Sequence, residues 1–121
     1  MQFSAESLFN SLKDRISELK AVFLVGASGA VRFHAKPGSA FDVESFAAEY
    51  ATLFRIASRT ALDTAMGDAY EQILISDKAL LVVRRFGTGN VAIFVCGPDQ
   101  QLGRLRFEIR SLAERLPHSV I

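Results

Sequence analysis

Two histidines, one cysteine and ten arginines are the residues of this sequence that could do chemistry. A histidine works as acid, base or metal ligand only where companions converge on it. His34 takes an outward position in an alternating stretch and His118 lies in the tail. Neither has a companion at ligand spacing, so both read as solvated. Cys96 closes the apolar run V-A-I-F-V-C, where a thiol behaves as a small hydrophobe rather than a nucleophile. The glycine pair in G-T-G-N, residues 87–90, lacks the spacing and the following helix of a phosphate loop and reads as a hairpin turn. The expectation is therefore no catalytic residue, no metal site, no cofactor and no enzymatic activity.

Arginine, which outnumbers lysine ten to four, suggests another kind of chemistry. Arg55 and Arg59 stand one turn apart on the outward face of a long helix, with Asp63 a turn further on. Arg84 and Arg85 flank a turn at a sheet rim and point to opposite faces. A planar, always-charged guanidinium suits protein interfaces, so these four are the candidate partner-binding residues. The competing reading is a solvated face, with an Arg59–Asp63 pair worth about 0.2–0.5 kcal/mol.

The elements that position these residues follow from hydrophobic periodicity. Leu8, Phe9, Leu12, Ile16 and Leu19 recur at helical spacing and predict a first helix from Ser4 to about Lys20. Ala21 to Ala27 is a nearly pure apolar run, with Gly26 inside it read as a bulge or a close approach. Ser28-Gly29 then turns into the alternating stretch Val31 to Lys36. Asp42 can cap a long helix that runs to about Met66 and ends at Gly67. Ile73 to Ile75, Ala79 to Phe86 and Val91 to Cys96 are strands joined by links short enough to force antiparallel hairpins. Asp99 is expected to cap a last helix carrying the stripe Leu102, Leu105, Ile109, Leu112 and Leu116, stopped by Pro117. The order is α-β-β-α-β-β-β-α, one domain over residues 1–121. Hairpin strands as continuously apolar as Leu80 to Val83 require an antiparallel sheet covered by helices on both faces.

A net charge of +1 provides no broad basic field, so nucleic acid is not an expected partner. The longest apolar runs fall far short of the ~20 residues of a spanning helix, and membrane insertion is not expected either. A single cysteine excludes an internal disulfide framework and, without a signal peptide, points to the reducing cytoplasm.

Apolar surface in excess points to self-association. The long helix docks with Val43, Phe46, Ala47, Tyr50, Phe54, Ala57, Ala61 and Ala65. Beyond that stripe lie Leu53 and Ile56 on one flank and Leu62 and Met66 on the other, around small outward residues, Ala48, Ala51 and Thr52. The strand Ile73 to Ile75 follows the long helix, so it is expected at a sheet edge, and no charge or proline protects it. A twofold homodimer joining that edge and laying the long helices side by side would cover both. Its expected interface is Leu53, Ile56, Leu62, Met66, Ile73 and Ile75.

With these elements in place, the sequence resembles the Roadblock family, small domains related to dynein light chains and to bacterial regulators of Ras-like GTPases. The resemblance runs from Leu8 to Leu116. It rests on A-V-F-L-V-G-A-S-G-A-V, the alanine-rich long helix, Y-E-Q-I-L-I and G-P-D-Q-Q-L-G-R-L-R, which are packing and turn patterns rather than catalytic signatures. It implies an α+β, profilin-like fold: a five-stranded antiparallel sheet with the long helix on one face and the terminal helices on the other. It also implies dimerisation through the third strand and the long helix, and non-catalytic binding of a small Ras-like GTPase with an effect on its nucleotide cycle. The long C-terminal extension of some GTPase-activating members is not seen, which favours binding over activation. A reading from a different class is a small-molecule-sensing module of PAS or GAF type. The alanines at 47, 57, 61 and 65 favour close helix docking over the pocket such a module needs.

Overall fold

In a computed structural model that describes residues 4–87 and 89–115, the elements follow the expected order. They are α1 (Ala5–Leu12), β1 (Leu19–Val25), β2 (Val31–Ala35), α2 (Val43–Asp63), β3 (Glu71–Ile75), β4 (Leu80–Phe86), β5 (Asn90–Cys96) and α3 (Leu102–Arg115). Thr88, Leu116, Pro117 and His118 lie outside the described residues. The strands form one antiparallel sheet in the order β2-β1-β5-β4-β3. The first and last strands therefore lie together at its centre, and β3 forms an edge.

Side-chain alternation divides the core into two layers. Val22, Leu24, Leu80, Val82, Phe86, Ala92, Phe94 and Cys96 pack against α1 and α3. Ala21, Phe23, Val25, Leu81, Val83, Val91, Ile93 and Val95 pack beneath α2. Over most of their length both faces of β1, β4 and β5 are consequently dry, which is why those strands read as unbroken apolar runs. Under α2 the ring of Phe23 stacks on Phe46, with centroids 4.8 Å apart, and full burial of a ring of this size contributes about 1.5–3 kcal/mol.

Several local expectations are corrected. The first helix ends at Leu12 rather than near Lys20. Arg15 and Ile16 both donate to Leu12 O, and Leu19 N donates to Ile16 O, so short turns carry Ile16 into the core and release Leu19 into β1. Gly26 is not a bulge: its N–H donates to Ala30 O, 2.9 Å away, and closes the β1–β2 turn. The irregularity falls instead at Leu19/Ala21, where β1 shifts register against β5. Asp99 sits in a turn, with Gln100 N donating to Gly97 O, and Gln101 is the residue whose carbonyl begins the helix, accepting from Leu105 N.

At the start of α2 the expectation holds: Asp42 accepts from Ser45 N at 3.4 Å. Its end comes earlier, at Asp63. Gly67 is left-handed as expected, φ 86°, but Ala65, φ 61°, takes that conformation ahead of it. Met66 N donates to Ala61 O at 2.8 Å and Ala65 N to Leu62 O at 3.2 Å, the paired bonds of a Schellman cap with alanine in the position glycine usually fills. Glycine is required in the β4–β5 turn, because a Cβ on Gly89 (φ 77°) would come within 2.9 Å of Ala27 Cβ.

Candidate interaction surface

α2 crosses the sheet with Ala47, Ala51 and Phe54 fully buried. Ala51, expected on the outward face, instead belongs to the contact, since positions i, i+4 and i+7 meet the sheet here. Ala48 and Thr52 remain exposed as expected. Small side chains in the contact let the helix sit low, and its apolar flanks stay outside.

Seven of the nine large apolar residues exposed among the described residues lie between positions 53 and 75: Leu53, Ile56, Leu62, Met66, Tyr70, Leu74 and Ile75. They do not form one patch. Nine positions, or two and a half turns, separate Leu53 from Leu62 and put them on opposite flanks of α2. Leu53 leans toward the edge strand and lines a shallow groove of about 460 Å³ with Phe46, Tyr50 and Leu74. Ile56 stands one turn on from Leu53, Leu62 stands on the other flank, and Met66, exposed, follows the helix end.

β3 shows which of its residues are free. Among the described residues it pairs only with β4, Glu71 to Arg84 through Ile75 to Leu80. Ile73 faces the α1/α3 layer and is half-buried against that core. Leu74 faces the α2 side and is exposed, as is Ile75 at the strand end, 68 % accessible. Leu74 was missed at the sequence level: in a five-residue strand without polar alternation, nothing marks which parity faces which layer. Leu74 and Leu53 thus expose apolar side chains on one hollow beside the outer edge of β3.

The candidate arginines separate in the same way. Arg55 is exposed on the flank of α2 facing the β1–β2 turn, where it lines a groove with Ala30, Val31 and Thr52. Arg59 donates to Asp63 Oδ1 at 3.3 Å, both side chains well exposed. Arg85 is exposed on the α2 side, its guanidinium 5.2 Å from the centroid of the Tyr70 ring. Arg84 points to the other layer and is held by the fold: Nη1 donates to Glu71 Oε1 at 3.3 Å, and Nε is buried with no partner among the described residues. Three of the four are therefore open to a partner.

The arrangement that sequence reasoning could not see is a pair of buried carboxylates, each between two arginines. Glu71 also accepts from Arg106 Nε of α3 at 2.7 Å. Glu108, 4 % accessible, pairs with Arg15 at 3.3 Å and Arg104 at 3.6 Å. The long-range partners lie 13, 35 and 93 positions apart, beyond any local spacing rule.

No converging set of acid, base and nucleophile surrounds the remaining candidates among the described residues. His34 packs its ring on Phe9, with centroids 4.9 Å apart. Cys96 is fully buried, and burial, with Glu18 adding to it, pushes its thiol up to about 12. Among the described residues no cluster of His, Cys, Asp and Glu could hold a metal ion, and no helix is long and apolar enough to cross a membrane.

No protein-family model and no curated protein matches this sequence. Solved structures do match. The Roadblock/LC7 domain from Streptomyces avermitilis aligns with a TM-score of 0.78 at 19 % identity, covering 93 % of this chain and 93 % of that one. Gliding protein MglB from Thermus thermophilus gives 0.77 at 13 % identity, covering 91 % and 83 %. An MglB with a tetrameric arrangement gives 0.78 at 14 % identity, covering 91 % and 82 %.

Proposed function

We propose that this chain, whose fold is that of the Roadblock/LC7 domain, is a non-catalytic homodimeric adaptor that binds a small Ras-like GTPase and modulates its nucleotide cycle in a bacterial cytoplasm. The observation that carries the reading is the uncovered margin of β3 with Leu53 and Leu74. An edge strand offers a row of unpaired backbone groups, and a second copy of the same edge satisfies them while covering the apolar flank of α2. Ile56 and Ile75 extend that contact, and Leu62 and Met66 flank the paired helices. Ile73 contributes by supporting the strand from behind. Self-association is also a property of one structural neighbour, the MglB of tetrameric arrangement.

Arg55, Arg59 and Arg85 lie on the α2 side of each protomer and supply its partner-facing cations. Guanidinium groups there suit a surface rich in carboxylates or phosphates. The sensor reading has less support, since Phe23, Val83 and Ile93 fill the space beneath the middle of α2, all buried, where an enclosed ligand pocket would have to lie.

The reading is tested by light scattering coupled to size exclusion, alone and with candidate GTPases loaded with GDP or a GTP analogue. A dimer that retains one nucleotide form of a GTPase is expected. A chain that stays monomeric at high concentration and ignores both forms would rule the reading out.

A further inference from the structure

The lysines and arginines of this chain have separated. All five ion pairs found among the described residues use arginine, and no lysine takes part in one of them. The lysines instead gather at one end of the sheet. Lys20 at the start of β1 and Lys36 after β2 are neighbours through the bond from Lys36 N to Lys20 O, 2.8 Å long. Lys78 lies in the β3–β4 turn, and all three line an open groove of about 720 Å³ whose only carboxylate among the described residues is Glu18. The fourth, Lys13, lines an adjoining hollow that shares Leu19 and Lys36 with the groove.

The groove floor is apolar and aromatic. Phe41, Phe46 and Tyr50 line it, with centroids 5.4 Å apart for Phe41–Phe46 and 4.8 Å for Phe46–Tyr50, and all three are half-buried. Partly bare rings and lysines outside those ion pairs line one groove, a surface with two complementary demands: an apolar anchor and negative charge beside it.

We infer that this groove binds an acidic segment of a partner protein, in extended conformation, with an aromatic or leucine side chain seated on Phe41, Phe46 and Tyr50 and carboxylates meeting Lys20, Lys36 and Lys78. The spread of the lysines decides for a segment over a single small anion. From β2 to β4 is three strand spacings, on the order of 14 Å, about the reach of four extended residues. One phosphate could meet only one end of that span. Lysine, a hydrated point charge on a flexible stem, also suits carboxylates along a chain better than one fixed planar group. The groove lies at the strand ends, away from Arg55 and Arg59, and shares Phe46 and Tyr50 with the hollow beside Leu53 and Leu74; the lysine substitutions leave Leu53 and Leu74 untouched, so the test of this groove is distinct from that of the dimer and GTPase reading.

The full chain is titrated into a fluorescent peptide of sequence EEFEEL, with KKFKKL and inorganic phosphate as parallel probes. Saturable binding of EEFEEL is expected, weakening with salt as exposed charges are screened. It should fall at least about tenfold in the triple variant Lys20→Gln, Lys36→Gln, Lys78→Gln. Amide shifts of the 15N-labelled chain should map to residues 36–50 and 76–81. Should the triple variant lose its circular dichroism spectrum, Lys78→Gln alone and the shift map decide. Equal binding of KKFKKL, full competition by phosphate, or shifts confined to other surfaces would each overturn the assignment.

Discussion

Glu71 Oε2 accepts a 2.7 Å hydrogen bond from Arg106 Nε, which fastens the edge strand β3 to α3. The same carboxylate holds Arg84 at 3.3 Å, and its side chain is only 9 % accessible. An edge strand of five residues is prone to fray, and this charged clamp fixes β3 from the layer opposite α2.

Replacing Glu71 with Gln should therefore destabilise the fold by about 2 kcal/mol, because the half-buried Arg84 keeps its charge and loses its counter-ion. Urea unfolding measures the loss. Hydrogen exchange should show β3 amides opening ahead of those of β4. Unchanged protection in β3 would mean the clamp does not hold the strand.

Ala65→Gly should raise stability by about 0.5–1 kcal/mol. Alanine at φ 61° carries steric strain that glycine lacks, while both Schellman bonds survive the change. Part of the gain is offset by the freer unfolded chain. In a chain of this size the melting temperature should rise by about 2–4 °C, and a lower value would show that the strain is negligible.

Leu53→Lys and Leu74→Lys should each abolish self-association while leaving the far-ultraviolet spectrum intact, since both side chains are exposed in the protomer. Ile73→Lys should behave differently. Its half-buried position against the core means a lysine there destabilises the protomer itself, by about 2 kcal/mol or more. Light scattering distinguishes folded monomers from a fold that has been lost.

Cys96 gives a pH dependence with a definite sign. Its folded thiol is held at about 12 against an ordinary value of 9.0. Below about pH 9 it is neutral in both states and its burial stabilises fully. As pH climbs from 9 toward 12, the unfolded chain ionises while the folded chain keeps the proton, and stability falls by up to about 1.4 kcal/mol per unit. The advantage of the wild type over Cys96→Ala should accordingly shrink between about pH 7 and pH 10, read from urea midpoints. A constant gap would place the thiol in a wetter site.

The order of elements was legible because the apolar runs of β1, β4 and β5 are unmistakable and the capping Asp42 stands alone before a long amphipathic stretch. The end of α1 was not. Leu12, Ile16 and Leu19 satisfy a helical period and also a turn that drops each residue into the same layer, and no breaker separates the two. Ala51 was misplaced because an alanine carries little hydrophobic weight in a periodicity argument. The edge strand was located correctly, but the facing of Ile73 and Leu74 depends on the register of Glu71 with Arg84. Arg84 was singled out as a surface cation, and the structure adds a role inside the fold. Its partner is another strand's glutamate, which only the folded sheet brings near.

The middle of the sheet joins strands made far apart in time, β1 well before β5. β1 lies between β2 and β5, so the hairpin that leaves the ribosome first keeps one flank bare until residues 90–96 arrive to zip against it. Folding on this plan is a late, nearly all-at-once event with slow long-range closure, and nascent chains stalled before β5 are the species that holdase chaperones should be found clasping.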